Sequence, residues 1–166
     1  LPVGVDLREA GLVEAYLSFV NLRNADLSGS DLSGVFSMGA DLRGAVLRGA
    51  GAHIQRFWYA DARGANFESA ELLQAQFFWA VFRNARLPEA ILIRARLEGV
   101  DLSGASLVKA YLFQADLRHA IFEGADLSEA LGLEPDGLAT AATLRAAKLD
   151  APLLAVLEKR FPGLFR

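Results

Sequence analysis

The sequence predicts a solenoid, a chain wound into one short turn after another, with a helix only near its C-terminal end. Three observations carry this. From Val5 the chain divides into fives without a break, as in "VDLRE AGLVE AYLSF VNLRN ADLSG", and 25 consecutive pentads run to Glu129. The first position of the pentad is Ala in 19 of the 25, and the third is Leu or Phe in 22, the exceptions being Ser37, Ala52 and Ala62. The period also excludes the two regular alternatives. Five residues advance an α-helix by about 140° beyond a full turn, which would smear Leu around its circumference. The strict alternation of a half-buried strand fails as well. A short turn per pentad remains, with the first and third residues inward and the other three outward. Repetition at a fixed period is the signature of a stacked architecture.

The composition sets bounds. A chain of 166 residues is long enough for one domain with a sizeable core. It is 53% hydrophobic, yet no run of about 18 apolar residues occurs, so no membrane span is expected. There are no cysteines, which removes disulfides, thiolate catalysis and Cys-ligated zinc. A net charge of −3 suggests neither a basic nucleic-acid binder nor an acidic tail. No secretory signal is read and a cytoplasmic location is expected, although a start at Leu1 rather than Met leaves export open.

The pentads resemble the pentapeptide repeat family, whose consensus is A(D/N)LXX, over roughly residues 5–130. The resemblance implies an all-β solenoid, the right-handed quadrilateral β-helix, in which four pentads form one square coil. The 25 pentads then give about six coils, stacked about 4.8 Å apart into a rod roughly 30 Å long. Residues 1–134 are expected to form this β-helix and 135–166 a C-terminal capping segment. The volumes fit a close-packed interior: Ala52 and Ala62 alternate with Phe57 and Phe67.

In that geometry residues four pentads apart share a face. One face should carry Tyr16 and Phe19, then Phe36 and Met38, Trp58 and Tyr59, Phe78 and Trp79, all at outward positions. Phe77 and Phe82, their neighbours in sequence, should be core. The adjoining face adds Val13, Ile54, Leu73, Ile91, Ile93, Tyr111 and Phe113. Contiguous apolar patches of a few hundred Å² mark interaction sites, and aromatic residues with few charges suit an interface centre. The other reading is a patch covered by the chain's own tail. Beside it, Ser37 and Gln55 stand at inward positions and should satisfy each other or a backbone group. A third face carries an arginine ladder, Arg23, Arg43, Arg63 and Arg83, with Asp41, Asp61 and Asp101 available to neutralise it.

Periodicity stops near residue 130. Pro135, Asp136 and Gly137 mark a turn or short helix start. Residues 142–151 repeat the pentad in a shifted phase and could add a partial coil. "PLLAVLEKRF" then reads as a helix with Asp150 as cap and Pro152 in its first turn. This segment serves as a lid over the last coil or as a dimerisation element, the latter resembling what C-terminal segments do in the topoisomerase-directed members.

No catalytic constellation is visible. His53 and His119 fall on different faces about three coils apart, and no phosphate loop, HExxH or nucleophile elbow occurs. No cofactor, metal, direct nucleic acid or membrane partner is expected. The first functional reading is a non-catalytic protein–protein interaction scaffold. Its partner would be another protein or a second copy, bound through the aromatic face or the C-terminal helix. The resemblance implies an alternative: a DNA mimic that binds or protects a type II topoisomerase, DNA gyrase, as in the quinolone-resistance branch. Residues 1–130 depart from that acidic pattern, with 16 acidic and 12 basic residues. A second alternative is an accessory domain of a longer enzyme.

Overall fold

The computed structural model describes residues 1–166. Its backbone pairs in a single register. Asp6 bridges Asp26, Gly11 bridges Asp31, Tyr16 bridges Phe36 and Asn21 bridges Asp41, and the pattern continues to Tyr111 with Leu131, always parallel and always 20 residues on. A parallel partner at constant separation means that the chain returns above itself after every four pentads. Each straight run contributes one bridged residue, so the walls are stacks of isolated bridges rather than long strands. Successive coils exchange hydrogen bonds along the axis. Leu27 N–H donates to Val46 C=O (2.7 Å) and Gly29 N–H to Arg48 C=O (2.9 Å), while Val46 N–H donates back to Ala25 C=O (2.9 Å).

The corners explain the pentad. Each but the one before Gln55 is closed by a hydrogen bond in which the first residue of one pentad donates to the third residue of the pentad before, as Ala25 N–H does to Leu22 C=O (3.0 Å). The fifth residue of every pentad from Glu9 to Glu129 has positive φ. Glycine takes that conformation freely, yet non-glycine residues hold it at φ 54 to 61. The second position is explained too. Asp26, Asp31, Asp41, Asp61, Asp101, Asp116 and Asp126 each accept, through Oδ1, the backbone N–H two residues on. Asn21 and Asn66 do the same. These are Asx-turns, and they account for Asp or Asn before the inward Leu without any catalytic role.

First and third residues fill the interior. From Leu22 to Leu127 they are buried, Ala115 alone being half-buried. At the centre the rings of Phe57 and Phe67 meet edge to face at 6.0 Å, in the coil where Ala52 and Ala62 make room. Phe77 stacks on Phe57 at 4.9 Å and meets Phe82 at 5.2 Å, so both are core as the phase requires.

After Leu131 the register changes. Residues 132–141 include α1, Pro135–Leu138, and the bridges that follow, Ile121 with Thr143 and Asp126 with Lys148, span 22 residues rather than 20. Helix α2 is Ala151–Arg160, followed by a 3-10 turn, Pro162–Phe165. Leu138, Leu144 and Leu157 join the buried core, and Leu144 N–H donates to Leu164 C=O at 2.7 Å. Asp150 occupies the N-cap position of α2 but does not cap it with its side chain; Oδ1 instead accepts Glu129 N–H at 3.1 Å, tying the helix to the last full pentad. No helix is long and apolar enough to cross a membrane.

Candidate interaction surface

The tail lies against the C-terminal end of the coils and leaves the aromatic face open. Tyr16 is 81% exposed, Phe19 72%, Tyr59 61% and Trp79 52%, and Met38 is exposed beside them. Phe36, Trp58 and Phe78 are half-buried between them. The three outward positions of a pentad therefore differ in what they can contribute.

At the second position Tyr16 stacks on Phe36 at 5.0 Å, and the Arg56 guanidinium lies over the other side of Phe36 at 4.5 Å. At the fourth, Trp58 meets Phe78 edge to face at 6.0 Å, donates its indole N–H to Gln76 Oε1 (3.3 Å), and Arg96 stands 5.9 Å over Phe78. At the fifth position the side chain folds over its successor one coil on. Phe19 lies on Gly39 and Trp79 on Gly99, where an added Cβ would come within 2.7 Å and 2.6 Å of the rings. Trp58 and Trp79 thus also brace the coil below them. Phe19 braces its neighbour in the same way but, with Tyr59, keeps more of its side chain exposed.

The inward polar pair sits behind this face. Gln55 Nε2 donates to Ser37 Oγ at 3.0 Å and Ser37 Oγ donates to Arg56 C=O at 3.3 Å, while Gln55 Oε1 is buried without a partner. The two residues satisfy each other, as expected, except for that one acceptor.

Three of the four arginines of the ladder are neutralised. Arg43 binds Asp41 and reaches Asp61 (3.6 Å), Arg63 binds Asp61 (2.6 Å), and Arg83 binds Asp101. The Arg43 and Arg63 guanidinium groups, which donate to Asp41 and Asp61, hold those carboxyls below the usual range, with burial opposing. Arg23 has no carboxylate in contact. The histidines do not meet: His53 Nε2 faces Glu71 at 3.2 Å, and His119 is exposed on another face.

A family model described as Pentapeptide repeats matches the chain in 8 copies, over residues 3–36, 55–84, 75–112 and 110–131. This chain belongs to the pentapeptide repeat family. No curated protein sequence matches this pentapeptide repeat protein. Among solved structures it is similar to a trypsin-treated variant of QnrB1, a plasmid-mediated fluoroquinolone resistance protein, at 21% identity and TM-score 0.63, covering 99% of this chain and 92% of that one. A second trypsin-treated QnrB1 variant gives 20% identity and TM-score 0.53, covering 99% and 95%. HetL, a pentapeptide repeat protein involved in heterocyst differentiation regulation from the cyanobacterium Nostoc sp. strain PCC 7120, is 29% identical over 88% of this chain and 59% of its own, with TM-score 0.41. The QnrB1 likenesses imply the fold of a right-handed quadrilateral β-helix.

Proposed function

We propose that this pentapeptide repeat protein is a non-catalytic scaffold that binds another protein, or a second copy of itself, through its aromatic face. On this reading residues 5–129 form a rod of about six square coils, and the C-terminal segment is a lid that shields the last coil's core and edges. The observation that carries the reading is the run of exposed aromatics, Tyr16, Phe19, Tyr59 and Trp79, on a wall held by hydrogen bonds from coil to coil. A surface held rigid in advance loses little entropy on association. Burying it would contribute roughly 25 cal/mol per Å² before the costs of binding.

The test is Phe19→Glu with Tyr59→Glu. Both sites have positive φ, and Glu occupies the equivalent position at Glu9, Glu14, Glu89 and Glu129, so the rod should fold as before. Self-association, read by sedimentation, or capture of a partner should weaken while circular dichroism stays the same. Unchanged assembly would reduce the patch to decoration.

The DNA-mimic reading, in which the rod binds or protects a type II topoisomerase such as gyrase, is supported by likeness of fold to QnrB1 alone. The 16 acidic and 12 basic residues of positions 1–130, and arginines that lack acidic partners, weigh against it. A gyrase supercoiling assay separates the two.

A further inference from the structure

The molecule has 17 lysine and arginine side chains, and most of them pair with a carboxylate. Arg23, Arg56, Arg94, Arg96, Lys159 and Arg166 do not. Arg23 stands near Asp41 on the otherwise neutralised ladder, and Lys159 and Arg166 belong to the C-terminal segment. The other three lie together on one edge of the rod, where the aromatic face meets its neighbour. Arg94 donates only to Gln114 Oε1 (2.9 Å), Arg56 and Arg96 lie over Phe36 and Phe78, and Asp116, which feels Arg96, is already bound by Arg118.

Two open grooves run along this edge and share Ile54. One, of about 440 Å³, is lined by Glu14, Tyr16, Gly34, Phe36, Ile54 and Arg56. The other, of about 340 Å³, is lined by Ile54, Gln74, Gln76, Arg94 and Arg96. Together they make a trough that is aromatic at one end and basic at the other. Ile54 is the apolar residue common to both grooves. It is a β-branched residue held at φ 57 and 54% exposed. The pentad turn imposes that conformation, which is costly for a β-branched residue, and the exposed side chain is free to take an apolar group.

We propose that this trough binds an extended, acidic segment of a partner protein, its carboxylates paired with Arg56, Arg94 and Arg96 and its apolar side chains laid on Tyr16, Phe36 and Ile54. The inference deepens the scaffold reading and rests on it, since Tyr16 and Phe36 belong to both surfaces. From Tyr16 to Arg96 is four coil steps, roughly 19 Å at sheet spacing, which an extended peptide covers with about six residues. Glu14 at the aromatic end repels a carboxylate there and so fixes the direction of the segment. The amides of Gln74 and Gln76 can both donate to and accept from a peptide backbone. A nucleic-acid strand suits the trough less well, because it would set a phosphate against Glu14 and Ile54.

The probe is a fluorescein-labelled peptide of three alternating Tyr and Ile residues followed by three Glu residues, titrated with the intact protein and read by anisotropy. A peptide with Lys for Glu and an oligothymidylate serve as competitors. The Glu peptide should bind, weaken with salt, and lose about tenfold or more in affinity with Arg94→Glu plus Arg96→Glu. Arg94→Gln plus Arg96→Gln, which keeps hydrogen bonding to Gln114, should also weaken it. Arg63→Glu, on the paired ladder, should leave it within about twofold, as expected of an exposed ion pair.

Absent binding, equal binding of the Lys peptide, indifference to both Arg94/Arg96 pairs, or tighter binding of the oligothymidylate would each overturn the proposal. The Phe19→Glu, Tyr59→Glu protein separates the two readings because neither residue lines the trough. Peptide binding retained while assembly is unchanged would remove the patch and keep the trough; assembly lost while the peptide never binds would do the reverse.

Discussion

A residue's place in the pentad decides which force acts on it. The fifth position costs the most, because a left-handed backbone is unfavourable for any residue with a Cβ by about 1–2 kcal/mol. The turn and the coil stack over-determine the conformation, and a long side chain recovers part of the cost by covering the next coil, as Trp79 does on Gly99. For Ile54 the cost is greatest, because its side chain is β-branched, and more than half of that side chain stays exposed. Ile54→Gly should therefore raise stability by about 1 kcal/mol while weakening peptide binding in the trough. Thermal unfolding checks the first effect and anisotropy the second; a lower melting temperature would mean that Ile54 packs better than its exposure indicates. The inward residues were legible in the sequence because volume and polarity constrain them at every coil. Phe77 inside with Phe78 and Trp79 outside followed from phase alone. The left-handed fifth residue was not legible, since non-glycine residues, Glu, Gln, Arg and Trp among them, outnumber glycine there and carry no local signal. The trough was missed for a related reason. The eye finds arginines that repeat at one pentad position, and most of those are neutralised, while Arg56, Arg94 and Arg96 sit at two different positions and are joined only by the corner.

At the scale of elements, α2 was legible from its apolar side and from Pro152, but its attachment was not. The sequence offered Asp150 as a cap, whereas the stronger demand came from the N–H of Glu129, which has no further coil to receive it except through that carboxylate. The change of register at residues 132–141 was visible only as a lost period. Leu157 is the one fully buried residue of α2. Leu157→Asp would place a charge without a partner in the core that Leu138 and Leu144 also join. The expected result is release of α2, a loss of roughly 3–5 kcal/mol, and association through the uncovered end. Protease sensitivity confined to residues 150–166, with the rest of the rod protected, would report it; an unaltered digestion pattern would mean that α2 is not what closes the core.

For the whole molecule, the carboxylates set the acid limit. Asp41, Asp61, Asp116 and Asp126 all have lowered pKa values, chiefly through hydrogen bonds from Arg43, Arg63, Arg118 and Ser128, and partial burial opposes each shift. A lowered folded-state value means that the stabilisation is present in full above the unfolded carboxylate pKa of about 3.9 and is lost as pH falls through the folded values. The rod should thus keep its stability from neutral pH down to about pH 4 and lose it below, because the repeat places the same carboxylate turn at coil after coil. Denaturant midpoints measured across that range check this, and stability that held unchanged well below pH 4 would overturn it. The parallel register has a mechanical consequence as well. Every inter-coil hydrogen bond points along the axis, so tension on the two ends of the chain opens one coil at a time rather than shearing a whole wall. Each opening releases 20 residues, a slack of roughly 70 Å when drawn out. The coils from Phe57 to Phe82, with their interlocked rings, hold longest, which makes the rod an extensible tether with its firmest stretch in the middle.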